Sequence, residues 1–339
     1  MQKTAEAVSL GHPDKTCDYI SSYILDRMLE QDEHVRYAVE VMLKGNTVVL
    51  GGEVSGKIKL KNLEDYVKQA LAEIGYTKEY SARWKENAIN PDKLKIVNLI
   101  GAQSLEIAKG VDQSGWGDQG IFVGYACQGE KYLAKEQFLA QKLNRALYRK
   151  ALSSQNLGLD IKTQITLDDR GEIDTVIVAI PMLEQVSLVD FIFDVLQEEP
   201  RRLIINGTGS YKCHSSIADC GVTGRKLACD FYAGTCPVGG GSPWTKDASK
   251  ADLTLNLYAR KLAIENLKDN DECFVYLSSC IGQCDLPSAE VKIIKDGIIW
   301  THALNINRQP SEIIKMLGLN KPVFAKLCRE GLMSAFVEK

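Results

Sequence analysis

Every second residue from Val35 to Leu43 is apolar: Val35, Tyr37, Val39, Val41 and Leu43. A period of two fits a strand with one buried face and cannot serve a helix, whose faces repeat every three to four residues. Gly45-Asn46 follows as a two-residue turn, and Thr47 to Val54 returns as a second strand. Pairing Lys44 with Thr47 sets Glu53 opposite Ala38, two residues from Glu40 on the same strand face. Two carboxylates so placed repel unless a cation lies between or beside them; the alternative is a pair of solvated edge residues. The pattern alone leaves both open.

The same grammar recurs along the chain. Helices are expected over Asp14–Leu29, Asn62–Gly75, Lys135–Leu152, Ser187–Glu199 and about Ala251–Leu267, with Asn62 as a cap and Gly75 as a stop. Strands are expected over 93–100, 121–126, 160–167, 175–180, 201–206, 272–281 and 290–299, with a turn at Asp168-Asp-Arg-Gly171. Hairpin, helix and strand alternate about three times without repeated sequence. That order is α+β rather than a doubly wound parallel sheet, and no exposed linker separates the units.

Composition excludes several classes. At 339 residues, with 45% hydrophobic and 25% charged side chains, the chain can bury two or three cores and is not disordered. Its apolar runs fall far short of the ~18 residues of a membrane span, and Met1–Glu6 carries no signal-peptide core. A net charge of −3 argues against a dedicated nucleic-acid binder. The ten cysteines form no CxxC pair, and only His214 stands near the 213–236 group, so reduced, mostly buried thiols in a cytoplasmic protein are expected rather than zinc or disulfides.

Chemistry gathers in the loops. The segment from Gly207 to Lys250 holds Asp219, Arg225, Lys226, Gly239-Gly-Gly241, Lys246 and Asp247, and Asp252 opens the helix that follows. Glycine-rich backbone among cations ahead of a helix N-terminus suits an anion with many oxygens; a solvated charged loop is the plainer reading. There is no GxxxxGK[ST], so a P-loop is excluded. Asp14 and Asp252 could hold a hard divalent cation together with phosphate oxygens. Gly11-His12-Pro-Asp14-Lys15 precedes the first helix; a lone histidine there is more often structural than catalytic, though an acid and a base beside it soften that expectation.

Taken together, Gly11-His-Pro-Asp-Lys15, Gly117-Asp-Gln-Gly120, Asp219-Cys-Gly-Val-Thr-Gly-Arg-Lys226 and Gly239-Gly-Gly…Lys246-Asp…Lys250…Asp252 resemble the signatures of S-adenosylmethionine synthetases (methionine adenosyltransferases), in the family's order. Glu6-Ala-Val-Ser9, Gly51-Gly-Glu53 and Asp160-Ile-Lys162 fit the same template, so the resemblance spans essentially the whole chain. It implies three similar α+β domains of mixed or antiparallel sheet with helices on one face, in a pseudo-threefold arrangement, over 1–106, 107–211 and 212–339. It implies attack of methionine sulfur on the ATP 5′ carbon, then cleavage of the expelled triphosphate to pyrophosphate and phosphate.

The resemblance also implies roles for single residues. His12 would lie near the 5′ oxygen, and Lys162, Arg225, Lys226 and Lys246 would grip the triphosphate. Asp160 would address the ribose, with Ser210, Tyr211, Asp219 and Ser242 completing the nucleotide site. Asp118 would come from a neighbouring subunit. Glu53, Gln103, Asp219, Lys250 and Ile281 would surround methionine. Asp14 and Asp252 would carry Mg²⁺, two ions per site, and Glu40 would bind K⁺, which would offset the carboxylate repulsion on the hairpin. A homodimer, or a dimer of dimers, would place the sites at subunit interfaces.

The chain departs from the family in places. The stretch from Gln103 to Asp118 is shorter than in typical bacterial members, Asn206-Gly-Thr-Gly-Ser-Tyr211 replaces Asn-Pro-Thr-Gly-Arg-Phe, and Cys213–Ala218 replaces a Gly-Gly-Pro stretch. Val238 and Ser242 differ from the usual residues, and the C-terminal Gly-His-Phe-Gly-Arg element is absent. These changes keep two further readings in view: a paralogue performing another ATP-dependent alkyl transfer or triphosphate hydrolysis, and a regulatory non-catalytic homologue. The second would be expected to have lost His12, Lys162 or Asp252, and it has not.

Overall fold

The computed structural model describes residues 2–55, 62–102 and 115–334. The hairpin is built as its alternation requires: β2 (Tyr37–Lys44) and β3 (Thr47–Val54) pair with Lys44 opposite Thr47 and Ala38 opposite Glu53. Gly45 takes φ +60° at the first central position of the turn, a conformation glycine adopts without penalty. Tyr37, Val39, Val41 and Leu43 turn inward onto α1 (Pro13–Leu29).

Among the described residues there are three four-stranded sheets, and each joins strands distant in sequence. The first is β1 (Lys3–Val8), β6 (Lys162–Leu167), β7 (Ile173–Ala179) and β8 (Arg202–Ile205), in that order. The second runs β4 (Lys95–Ala102), β3, β2 and the short β9 (Gly221–Val222). The third runs β12 (Ile298–Ala303), β11 (Ser288–Lys295), β10 (Glu272–Ser279) and β5 (Gly120–Cys127). The first two share one connectivity: a central antiparallel hairpin, a parallel strand on one side and an antiparallel strand on the other. A long helix packs on each sheet: α1 on the second, the Lys135–Leu152 helix on the first, and the Ala251–Leu267 helix on the third. Gly124 lets β5 close on the last of these, since a Cβ there would lie 2.0 Å from the Ala259 carbonyl oxygen.

Several expectations need correction. The strand expected over 290–299 is two strands of a hairpin, because Asp296 (φ +50°) and Gly297 (φ +76°) form its turn and Lys295 pairs with Ile298. A helix over Lys78–Trp84 was not expected; Thr77 caps it by accepting from the Tyr80 N–H at 3.2 Å. Asn62 precedes its helix without a side-chain capping bond. The long loop contains two single-turn helices, Ser215–Ala218 and Leu227–Asp230, besides β9. All ten cysteines are free thiols. No helix among the described residues is long and apolar enough to cross a membrane.

Candidate active site

Helix α1 is enclosed on nearly every side, so its polar side chains must find partners inside the protein. They find them in the long loop. Asp14 accepts from the Val222 N–H (2.9 Å) and from Lys226 Nζ (2.6 Å), with Arg225 at 3.9 Å. Lys15 reaches Asp230 at 2.7 Å and Asp18 at 3.1 Å, and lies over the Trp244 ring, whose Nε1–H donates to Asp230. Asp18 also accepts from the Gly224 N–H at 2.9 Å. A loop rich in glycine and cations is thereby pinned to one rigid helix.

His12 caps that helix: its Nδ1 accepts from the Asp14 N–H at 3.2 Å. The ring is buried, and burial, then the nearby Lys162 and Lys226 ammoniums, depress its pKa to about 3. The imidazole is therefore neutral at physiological pH. Burial works against ionisation of Asp14, yet the Lys226 and Val222 hydrogen bonds hold its carboxyl below the usual range. Lys162 opens β6 exactly across from Val8, at the end of β1 that leads into Gly11-His12, and is exposed. Asp160 accepts from the Ser215 N–H at 3.0 Å; burial raises its pKa to about 6, with Asp219 and Asp14 adding and Lys162 opposing. Tyr211, half-buried, lies within electrostatic reach of Asp160, and Asp219 is exposed beside it.

A second group surrounds β2. Glu40 accepts from the hydroxyls of Thr223 and Thr245 (the latter 3.0 Å), two residues that sequence patterning did not single out. Lys246 pairs by backbone with Ala38, which has Glu53 on its other side, and its Nζ lies 2.6 Å from Asp252. Asp252 also accepts from the Gly241 N–H at 2.5 Å, so the triple glycine serves the carboxylate that opens the helix. Lys250 is committed to buried Asp247 at 2.5 Å and to the Tyr37 carbonyl at 3.3 Å. Thr223 and Val222, adjacent in the chain, tie this group to the first, and Ser242 packs against Gly224.

The remaining expected residues stand apart from these contacts. Ser210 is exposed in the turn after β8. Asp118 and Ile281 lie together near the third sheet, joined by the Trp116–Ile281 bridge and by the Ser279 hydroxyl on the Asp118 carbonyl at 2.8 Å. The Gly117 N–H reaches the Ser249 carbonyl at 3.1 Å, which brings that corner beside Lys250. Gln103 lies outside the described residues.

The donor chemistry suits hard cations. Among the described residues no three His, Cys, Asp or Glu side chains converge, so a self-sufficient protein cage is not built here. Asp14 and Asp252 each present one carboxylate already facing a lysine ammonium at 2.6 Å, a position that holds positive charge. Single carboxylates that leave the other ligands to phosphate and water fit Mg²⁺. Glu40 with two threonine hydroxyls is an all-oxygen set that fits a monovalent cation.

The chain matches the S-adenosylmethionine synthetase N-terminal domain over residues 1–105, the central domain over 113–211 and the C-terminal domain over 213–337. The chain belongs to the S-adenosylmethionine synthetase family. S-adenosylmethionine synthase from Pelagibacter ubique is 33% identical over 97% of this chain and 91% of its own, and that from Mycoplasmopsis synoviae is 34% identical over 95% and 89%. An unusual S-adenosylmethionine synthetase from Campylobacter jejuni superposes with a TM-score of 0.86, at 31% identity, over 98% of this chain and 94% of that one.

Proposed function

We propose that the chain synthesises S-adenosylmethionine from ATP and L-methionine, a methionine adenosyltransferase whose site is organised by the His12 cap and the Asp14–Lys226 pair. The observation that carries this reading is the hydrogen bond at His12 Nδ1, which fixes the tautomer of the ring. Because Nδ1 accepts from the Asp14 N–H, the proton of the neutral ring resides on Nε2, which becomes a hydrogen-bond donor for the ATP 5′ oxygen. The ring does not need to surrender a proton. It stabilises charge that builds on the leaving oxygen as sulfur attacks the 5′ carbon.

Sulfur needs no general base, so the chain's work is alignment and charge compensation. Lys162, Arg225, Lys226 and Lys246 converge on the triphosphate, with Ser242 at the glycine turn. Lys226 and Lys246 turn from Asp14 and Asp252 toward phosphate, which frees the carboxylates for Mg²⁺. Asp14 and Asp252 would hold Mg²⁺, which would offset charge on the phosphate oxygens, and Glu40 would hold K⁺, which would offset the neighbouring carboxylates. Asp160 accepts from a ribose hydroxyl, with Ser210 and Tyr211 nearby. Glu53 and Asp219 take the methionine ammonium, and Lys250, Gln103 and Ile281 the rest of that substrate.

A second copy completes the site. Glu40 and Glu53 lie on an open sheet face with Met42 (43% exposed), Val97 (40%) and Leu99 (65%), a patch too apolar to be left to water beside a charged site. In a homodimer this face is covered and Asp118 of the other copy reaches the site; a dimer of dimers repeats the arrangement.

Incubation with ATP, L-methionine, Mg²⁺ and K⁺, followed by chromatography, tests the reading. S-adenosylmethionine, pyrophosphate and phosphate are expected in equal amounts. Phosphate release without S-adenosylmethionine would overturn it in favour of triphosphate hydrolysis.

A further inference from the structure

Beneath the cation-rich loop three charged side chains are buried: Lys15 and Asp18 of α1, three residues apart on one face, and Asp230 of the loop. No step of the proposed reaction uses them. Lys15 Nζ lies 2.7 Å from Asp230 and 3.1 Å from Asp18, so two buried carboxylates share one ammonium. Asp230 has a second donor in the Trp244 indole N–H at 2.8 Å, and by itself it balances the Lys15 charge. Asp18 is the surplus anion: burial raises its pKa to about 7, with Lys15 opposing and Asp230 adding. A surplus buried carboxylate costs stability, so its remaining contact is the informative one.

That contact is the Gly224 N–H, which donates to Asp18 Oδ1 at 2.9 Å. Asp14 and Asp18 stand one turn apart on α1 and hold amides two residues apart in the loop, since the Val222 N–H donates to Asp14 at 2.9 Å. The Thr223 N–H between them donates to the Val41 carbonyl at 3.0 Å. Three successive amides are thus fixed where the chain turns, at Gly224 with φ +74°. A side chain at Gly224 would be strained at that φ and would set its Cβ 2.9 Å from the Ser242 Cβ.

Arg225 follows directly, and little else directs it. Its guanidinium lies 3.9 Å from Asp14 and donates to the Cys220 carbonyl of the same loop at 3.3 Å, and the side chain is half exposed. Lys226 and Lys246 differ. Each has a carboxylate 2.6 Å away, and Lys246 is also bridged by its backbone to Ala38.

We propose that Asp18 is a positioning residue for Arg225: it fixes the Gly224 amide, and with it the root from which the guanidinium reaches the triphosphate, which rests on the reading of Arg225 as a triphosphate ligand. Asp18 is buried and acts only through that backbone. Its removal leaves Lys15 paired with Asp230, so the charge beneath the loop stays balanced. The Gly224 turn gains freedom, and a guanidinium several bonds away amplifies it. Misplacement of a positioning group by about 1 Å costs up to ~10²-fold in rate.

Calorimetric titration with tripolyphosphate and Mg²⁺, alongside steady-state kinetics, tests this. In Asp18→Ala, tripolyphosphate affinity and kcat should each fall about tenfold or more, while KM for methionine stays within about twofold. The loss should shrink below about threefold in an Arg225→Met background and persist in a Lys246→Met background, a dependence that general loosening of the fold would not show. Gly224→Ala, which disturbs the same turn with Asp18 intact, should reproduce the loss, and it serves equally should Asp18→Ala fold poorly. Affinity within twofold of wild type in either variant, equal added losses in the two backgrounds, or a rise in KM for methionine matching the fall in tripolyphosphate affinity would each overturn the proposal. A wild type that binds no tripolyphosphate would overturn the reading of the site itself, and this assignment with it.

Discussion

The Lys226 ammonium lies 2.6 Å from the Asp14 carboxylate, across 212 residues of sequence. This contact fastens the loop to the first helix and also sets the charge of the site. Asp14 is almost wholly buried, so Lys226→Met leaves a carboxylate whose remaining support is the Val222 N–H and a distant Arg225. Loss of one partner of a buried pair costs about 3 kcal/mol. The urea midpoint of Lys226→Met should fall accordingly, and S-adenosylmethionine formation should fall by about 10²-fold or more, since a triphosphate contact is lost as well. The exposed Lys162 provides the contrast: Lys162→Met should reduce turnover comparably with stability within about 0.5 kcal/mol of wild type.

With Asp160 at the ribose, as proposed, nucleotide affinity should depend on pH. Burial raises its folded pKa to about 6, from an ordinary value of 3.8. Between those values the folded protein holds a proton that the unfolded chain has released, so this group's contribution to stability declines as pH rises from about 4 to 6. In that role the ionised form is the one that would accept from a ribose hydroxyl. KM for ATP should therefore rise as pH falls through about 6, against a background set by the facing Lys162, Asp219 and Asp14. Asp160→Asn should remove that inflection from the KM profile and raise KM at pH 7.5.

Much of this was legible in the sequence because local rules and burial agreed. The β2–β3 register followed from the alternation and a two-residue turn, and Gly75 marked a helix end that it does terminate in a left-handed conformation. What pattern could not reach was pairing at long range. Nothing local says that Asp14 meets Lys226, that Lys15 meets Asp230, or that Thr223 and Thr245 converge on Glu40; the first two follow from burying a polar helix, and the third from the long loop returning against β2. The Asp296-Gly297 hairpin was different. Its signal was present as a two-residue turn motif, but the apolar run on either side reads as one strand.

The altered segment after Tyr211 has its own anchor. Tyr80 Oη accepts from the Leu159 N–H at 3.1 Å and so donates to His214 Nε2 at 2.6 Å, while His214 Nδ1–H donates to the Lys212 carbonyl at 2.8 Å. The imidazole also packs edge-on against Trp84, with ring centroids 4.6 Å apart. This buried ring fixes the backbone that aims the Ser215 N–H at Asp160. His214→Ala should therefore raise KM for ATP by about tenfold, the equivalent of one buried hydrogen bond, and leave kcat within threefold. Equal losses in kcat and KM would instead mean general loosening of the fold.

The open sheet face makes the last prediction. Met42, Val97 and Leu99 share a side with Glu40 and Glu53, whereas the opposite side of the hairpin is sealed against α1. If that face is where a second copy sits, Leu99→Glu puts a carboxylate in the middle of an apolar contact, and burying it unpaired costs several kcal/mol. Light scattering should then give a monomer mass where the wild type gives a dimer or larger. S-adenosylmethionine formation should be lost with it, because Asp118 of the other copy no longer reaches the site. The folded monomer should survive, since Leu99 is 65% exposed in the single chain and contributes little to its core. An unchanged mass with full activity would show that this face is not where a second copy sits.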